Sequence, residues 1–282
     1  MKVPFFKNRR FYQSITAIIS NLAVWNFFSG KLYTGILKAI PFPSMNCYAC
    51  PASVFSCPIG TLSHLMVMAK FPFYTLGILG SVSLPFGRWI CGWICPFGLL
   101  QDMLYKIPTP KVRMPKKLEL IKFAMLLFPV LILPYFLKKH LFCMMCPVGT
   151  LEAGLYWVGF HPEIRRLAGM LFSFKVAVMI LIVGGAIFTK RPFCRFFCPL
   201  GALFSLFNKV SPIRFTHDAS LCTRCNHCQD VCPVDHKIYE DPNSTSCIRC
   251  LNCIRDCKAL DIEYPSIFKI PQGRNHNEKS LP

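Results

Sequence analysis

The residues of this 282-residue chain best able to do chemistry are its seventeen cysteines. Eight fall between 222 and 257 in two runs of one spacing. Cys222, Cys225, Cys228 and Cys232 form C-x2-C-x2-C-x3-C, followed by Pro233, and Cys247, Cys250, Cys253 and Cys257 repeat it. Two-residue loops let three successive thiolates reach one cubane, while the fourth cysteine lies too far along and serves a second one. The spacing predicts one [4Fe–4S] cluster on Cys222, Cys225, Cys228 and Cys257, and another on Cys247, Cys250, Cys253 and Cys232. The competing chemistry is a pair of structural zinc sites. Zinc ligand sets usually keep two cysteine pairs far apart and lack the third closely spaced cysteine, so iron–sulfur is the better reading.

The other nine cysteines sit among apolar residues, and four of them belong to a repeat. Cys-Pro-x-Gly occurs at 57–60, 95–98, 146–149 and 198–201. Two flavours alternate: Cys57-Pro-Ile-Gly-Thr-Leu matches Cys146-Pro-Val-Gly-Thr-Leu, and Cys95-Pro-Phe-Gly-Leu-Leu matches Cys198-Pro-Leu-Gly-Ala-Leu. The unit is duplicated. Cys91 and Cys95, with Cys194 and Cys198, form an expected inner set of four thiolates for a further cluster. Proline suits the first position of a helix, whose free N–H groups and positive dipole end then face an anionic centre. The glycine permits close backbone approach. An outer group holds Cys47, Cys50, Cys57, Cys143 and Cys146. Here Cys47-x2-Cys50 and Cys143-x2-Cys146 are two candidate pairs, Cys57 is an alternative member, and disulfides are the competing reading.

The elements positioning these residues are apolar. The chain is 53% hydrophobic and 16% charged, against about 25% charged in soluble proteins. Apolar runs at 11–28, 71–86, 118–137 and 167–188 predict about four transmembrane helices in two duplicated halves. No small-residue cleavage site follows the first run, which is expected to remain as a membrane helix. Lys2, Lys7, Arg9 and Arg10, then Lys106, Lys111, Arg113, Lys116 and Lys117, assign the N-terminus and the 105–117 loop to the cytoplasm by the positive-inside rule. The inner and outer cysteines are then expected near opposite faces of a hydrocarbon core about 30 Å thick. From about Arg214 long apolar runs stop. The expected organisation is a transmembrane helical domain over 1–213, a small α+β two-cluster domain over 214–265 and a tail over 266–282, in a multi-pass protein of the inner (cytoplasmic) membrane with both termini cytoplasmic.

The net charge of +19 raises the question of nucleic acid. The basic residues cluster at the ends of apolar runs, so anionic lipid is the expected partner and nucleic acid is not. No glycine-rich phosphate loop is evident. His64, Glu152 and His161 are polar groups near the outer cysteines that could accept protons, although interfacial polar residues commonly sit there for other reasons. A metal-handling or cofactor-maturation protein is the alternative class, but the eleven methionines are scattered rather than grouped.

Two resemblances follow from these motifs. The segment from Cys222 to Cys257 resembles a bacterial two-cluster ferredoxin, departing at Lys258, where the second run often has proline. Nearly the whole chain, through its paired Cys-x3-Cys-Pro motifs and the double cysteine run, resembles the NapH/NosR family of membrane iron–sulfur proteins, and differs from it in the outer cysteine group. That resemblance implies quinol oxidation and electron delivery to anaerobic respiratory reductases, with quinone or quinol and redox proteins as partners. It carries Cys91, Cys95, Cys194, Cys198 and the eight C-terminal cysteines as functional positions. The cofactors expected are two [4Fe–4S] clusters in the ferredoxin-like segment and one or two more among the membrane helices.

Overall fold

The computed structural model describes residues 8–263; Lys2, Lys7 and the expected tail 266–282 lie outside them. Helix α1 (Arg9–Ser20) is amphipathic and stops where the polar pair Ser20–Asn21 finds non-helical partners. The Ser20 carbonyl accepts the Val54 N–H at 3.0 Å and the Asn46 side-chain amide at 3.2 Å. Twelve residues of helix rise about 18 Å, too little for a hydrocarbon core of about 30 Å. Helix α2 (Pro58–Val67) starts at the first repeat, and α3 (Phe73–Phe86) carries the second apolar run. That helix has fourteen residues, about 21 Å, and ends at Gly87. Glycine is required there: φ is +59°, and a Cβ would sit 2.4 Å from Asn208 Oδ1.

The expectation of four spanning helices is therefore corrected. Among the described residues, two helices are long and apolar enough to cross a membrane, α6 (Lys116–Leu137) and α9 (Met170–Phe188). Only 28% and 17% of their most apolar windows are fully buried, so much of their apolar surface is left uncovered by the rest of the fold. Helix α6 contains a π turn, Leu127–Ile132, around Pro129, which has no N–H for the regular ladder. The shorter helices that begin at the repeats are α5 (Pro96–Leu104), α8 (147–160) and α11 (Pro199–Leu206). Helices α4 (Trp89–Trp93), α7 (Leu141–Met145) and α10 (Phe193–Phe197) precede them. Each long helix lies between one helix following an outer cysteine and one following an inner cysteine: α6 against α2 and α11, and α9 against α8 and α5.

The C-terminal part is built around an antiparallel pair, β1 (Arg214–His217) and β2 (Leu260–Glu263), in the register Arg214↔Glu263 and His217↔Leu260. Between them lie two short helices, α12 (His227–Asp230) and α13 (Asn252–Asp256). Phe215 and Leu260 bury one face of the pair with Ile238, Cys247 and Cys253. Val234, Ile248 and Cys250 instead join the main apolar core beside Cys91, Cys95 and Cys198. The two cores therefore meet along the 247–250 loop.

Candidate functional site

The two C-terminal cysteine runs share one backbone. Arg224 and Asn226 have φ of 51° and 60°; the equivalent Arg249 and Leu251 have 49° and 64°. A side chain in this left-handed region costs roughly 1–2 kcal/mol, and consecutive turns of this kind aim N–H groups into an anion-binding concavity. The N–H groups reach sulfur: Arg249 to Cys247 Sγ at 3.4 Å and His236 to Cys232 Sγ at 3.5 Å. Cys232, Cys247, Cys250 and Cys253, with Cys228, line one small cavity. Burial pushes the Cys228 thiol up, the Gln229 N–H opposes this, and the neighbouring Cys257, Cys225 and Cys222 add to it. The structure thus brings Cys232 beside Cys247, Cys250 and Cys253, and Cys257 near Cys228.

Cys91, Cys95, Cys194 and Cys198, all buried, line a second small cavity with Met45, Arg88 and Phe193. Burial raises all four thiols, Cys194 to about 11. Every sulfur nevertheless faces a donor. Gly201 N–H points at Cys198 Sγ (3.3 Å) and Gln101 Nε2 at Cys194 Sγ (3.1 Å). Arg88 reaches Cys91, and the Gly98 and Met45 N–H groups reach Cys95. Buried sulfurs arranged to accept hydrogen bonds suit metal-bound thiolates, because a metal takes the place of the proton that burial would otherwise retain. These residues fit a [4Fe–4S] group.

Two arginines complete this site, and their roles are reciprocal. Arg88 lies three residues before Cys91, and Arg191 three before Cys194. Arg88 donates to the Cys194 carbonyl, and Arg191 to the Cys91 carbonyl at 2.8 Å. Each guanidinium packs on the repeat glycine of the other half, Arg88 on Gly201 and Arg191 on Gly98. Arg191 is neutralised by Asp102, which accepts from its Nε (2.7 Å) and Nη2 (2.6 Å) and from Arg9 Nη2 (2.6 Å). Arg88 has carbonyls as its partners, those of Cys194, Thr245 and Ser246. Neither arginine is distinguished by the cysteine motifs alone, although R-x-x-C-x-x-x-C-P-x-G is common to both halves.

The outer group divides. Cys47, Cys57, Cys143 and Cys146 line a cavity of about 580 Å³ with His64 and His140, whose rings stack at 5.4 Å. Burial raises the Cys47 and Cys57 thiols to about 12 and Cys143 to about 11. Gly60 N–H points at Cys57 Sγ (3.5 Å). Cys50 stands apart, in a groove with Asn21, Glu152 and Tyr156. Glu152 accepts the Cys47 N–H at 2.6 Å, and burial raises its carboxyl to about 7 against that bond. His161 lies against Trp157 and Tyr156 instead of the cavity. None of the seventeen cysteines forms a disulfide. Among the described residues, no three His, Cys, Asp or Glu side chains converge closely enough for a single metal ion.

The sets are adjacent. Met45 lines both the inner and the outer cavity, and Cys47 follows two residues on, at most about 7 Å of chain. The expected separation of inner and outer cysteines across about 30 Å is not found.

Residues 71–115, 120–165 and 171–216 each match the family model of a 4Fe–4S binding domain. MJ0750, an uncharacterized protein of Methanocaldococcus jannaschii, is 30% identical over 204 residues, 69% of this chain and 79% of the relative. The chain belongs to the NosR-like family of 4Fe–4S proteins. Within this family, the methylamine utilization ferredoxin-type protein MauN of Methylobacillus flagellatus is 24% identical over 57% of the chain and 54% of the relative. The regulatory protein NosR of Stutzerimonas stutzeri is 28% identical over 58% of the chain, which spans only 22% of NosR. No solved structure matches. The chain thus carries three 4Fe–4S binding segments and is similar to ferredoxin-type proteins.

Proposed function

We propose that this protein is a membrane-bound electron-transfer subunit with four [4Fe–4S] sites in series. In this reading Cys47, Cys57, Cys143 and Cys146 hold the first, and Cys91, Cys95, Cys194 and Cys198 the second. Cys232, Cys247, Cys250 and Cys253 hold the third, and Cys222, Cys225, Cys228 and Cys257 the fourth. Such a cluster supplies one-electron redox chemistry at each position. The observation that carries the reading is contiguity. Met45 borders both of the first two cavities, Cys250 packs in the same core as Cys91, and Cys228 lines the cavity of the third set.

Helices α6 and α9 are the proposed membrane anchor. The chain ends lie on the cytoplasmic side, and residues 214–265 form the cluster-bearing part that meets a soluble redox protein. A quinone or a further redox protein is the proposed partner at the Cys47 end, where His64 and Glu152 are the groups able to take up protons. The placement beside an anaerobic respiratory reductase rests on the family resemblance.

Iron per chain, measured on anaerobically purified protein, tests this reading. About sixteen atoms, four per cubane, are expected. Cys57→Ser should lose about four of them, whereas Cys50→Ser should lose none. A wild-type value of about eight would restrict the clusters to residues 222–257 and overturn the series.

A further inference from the structure

The inner cysteine set and the 247–250 loop approach each other most closely at Gly92 among the contacts described. Gly92 follows Cys91 inside α4, and a Cβ built on it would lie 2.7 Å from the Ile248 carbonyl oxygen. It would also lie 3.5 Å from both Cα and Cβ of Cys250. Contacts below 3.0 Å are essentially never made by real Cβ atoms, and the obstructing atom is backbone, so no side-chain rotation relieves it. Gly92 has no positive φ to explain it, and glycine inside a helix is disfavoured by roughly 1 kcal/mol relative to alanine. Close approach is the remaining reason for glycine here.

The loop is held down on this spot by donors from the helical part. Asn208 Nδ2 donates to the Ser244 carbonyl (2.8 Å) and the Cys247 carbonyl (2.7 Å). Lys122 Nζ donates to Thr245 (3.0 Å), Arg88 to Thr245 and Ser246, and Trp93 Nε1 to Arg249 (3.2 Å). Carbonyls of 244–247 and 249 are thus each taken by a side chain from another part of the fold. A loop that only needed to bind its own cluster would have no use for five such attachments.

We infer that Gly92 is a positioning residue that sets the gap between the inner cysteine set and the third set, seating the backbone next to Cys91 directly against Cys250 so that electrons pass between the two sites at this point. The inference rests on the proposed occupation of both sets. One electron leaves one centre and enters the other; no bond is made or broken, and no proton is needed.

The test uses full-length protein, reduced anaerobically, with iron content and low-temperature EPR read together. The Cys194→Ser variant is expected to lose about four iron atoms. Its remaining signals are expected to sharpen, because the magnetic broadening from a neighbouring centre is gone. Iron loss without sharpening would overturn the inference while leaving the inner site intact as a cluster site. No iron loss would overturn the occupation of the inner set itself. In Gly92→Ala and Gly92→Val the iron content is expected to hold and the broadening to diminish, more for valine. Wild-type broadening in both variants at full iron content would overturn the role of Gly92. If valine costs the iron, the alanine variant and the Cys194→Ser comparison still decide.

Discussion

Asp102 is the sharpest place to test whether the inner site is built as described. Its carboxylate is 8% exposed and accepts three hydrogen bonds, two from Arg191, which is fully buried, and one from Arg9. Arg191 in turn holds the Cys91 carbonyl and packs on Gly98. Replacing Asp102 by alanine leaves two guanidinium groups buried without their counter-charge. Breaking a buried pair in this way costs about 3–5 kcal/mol, against about 1 kcal/mol or less for an exposed one. At roughly 2–4 °C per kcal/mol for a large domain, Tm should fall by about 10 °C. The assay is thermal unfolding in detergent, followed by circular dichroism and by iron release. Iron release should come earlier than helix loss, because the cysteine carbonyls lose their support first. A fall below about 2 °C would refute the claim that the trio is a buried, mutually dependent unit. The pH dependence has a definite sign. Burial alone would raise the Asp102 carboxyl, but Arg191 and then Arg9 outweigh it and hold the group below its ordinary value. Its contribution is therefore complete above the unfolded value of about 4, and is lost as pH falls through the lower folded one. The stability gap between wild type and Asp102→Ala should narrow only in that acid range.

Two further substitutions probe the neighbouring contacts. Arg88→Met removes a buried cation that has only carbonyl and sulfur partners among the described residues; it should lower the reduction potential of the inner centre, because positive charge favours the more negative reduced state. A charge-assisted bond worth about 1.5–3 kcal/mol corresponds to roughly 65–130 mV for one electron, and an unchanged potential in an EPR redox titration would show that Arg88 does not face the centre. Asn208→Ala leaves the Ser244 and Cys247 carbonyls and the Arg88 N–H without their partner; a loss of about 2–3 kcal/mol is expected, with faster amide exchange at Arg88 and in the 244–250 loop, and unchanged exchange there would refute the docking role.

What the sequence determined by itself is local. Ligands two residues apart have little freedom in where their thiols go, so the C-terminal spacing alone leads to the expected exchange of Cys232 and Cys257 between runs, and Cys232 lines one cavity with Cys247, Cys250 and Cys253. The Cys-Pro-x-Gly repeats were equally legible: proline at the first helical position and an N–H three residues after the cysteine are consequences of helix geometry alone. Tertiary structure decided whatever depended on residues far apart in the chain. An apolar run at 11–28 reads as a span, but the Ser20 carbonyl is taken by Val54 and Asn46, and the helix ends there. Cys50 has the better motif, yet Cys57 enters the cavity, because α2 begins at Pro58 and packs beside α6 while Cys50 faces Asn21. The nearness of the inner and outer sets through Met45, the crossed arginines and the contact at Gly92 have no local signature, since each joins segments brought together only by packing.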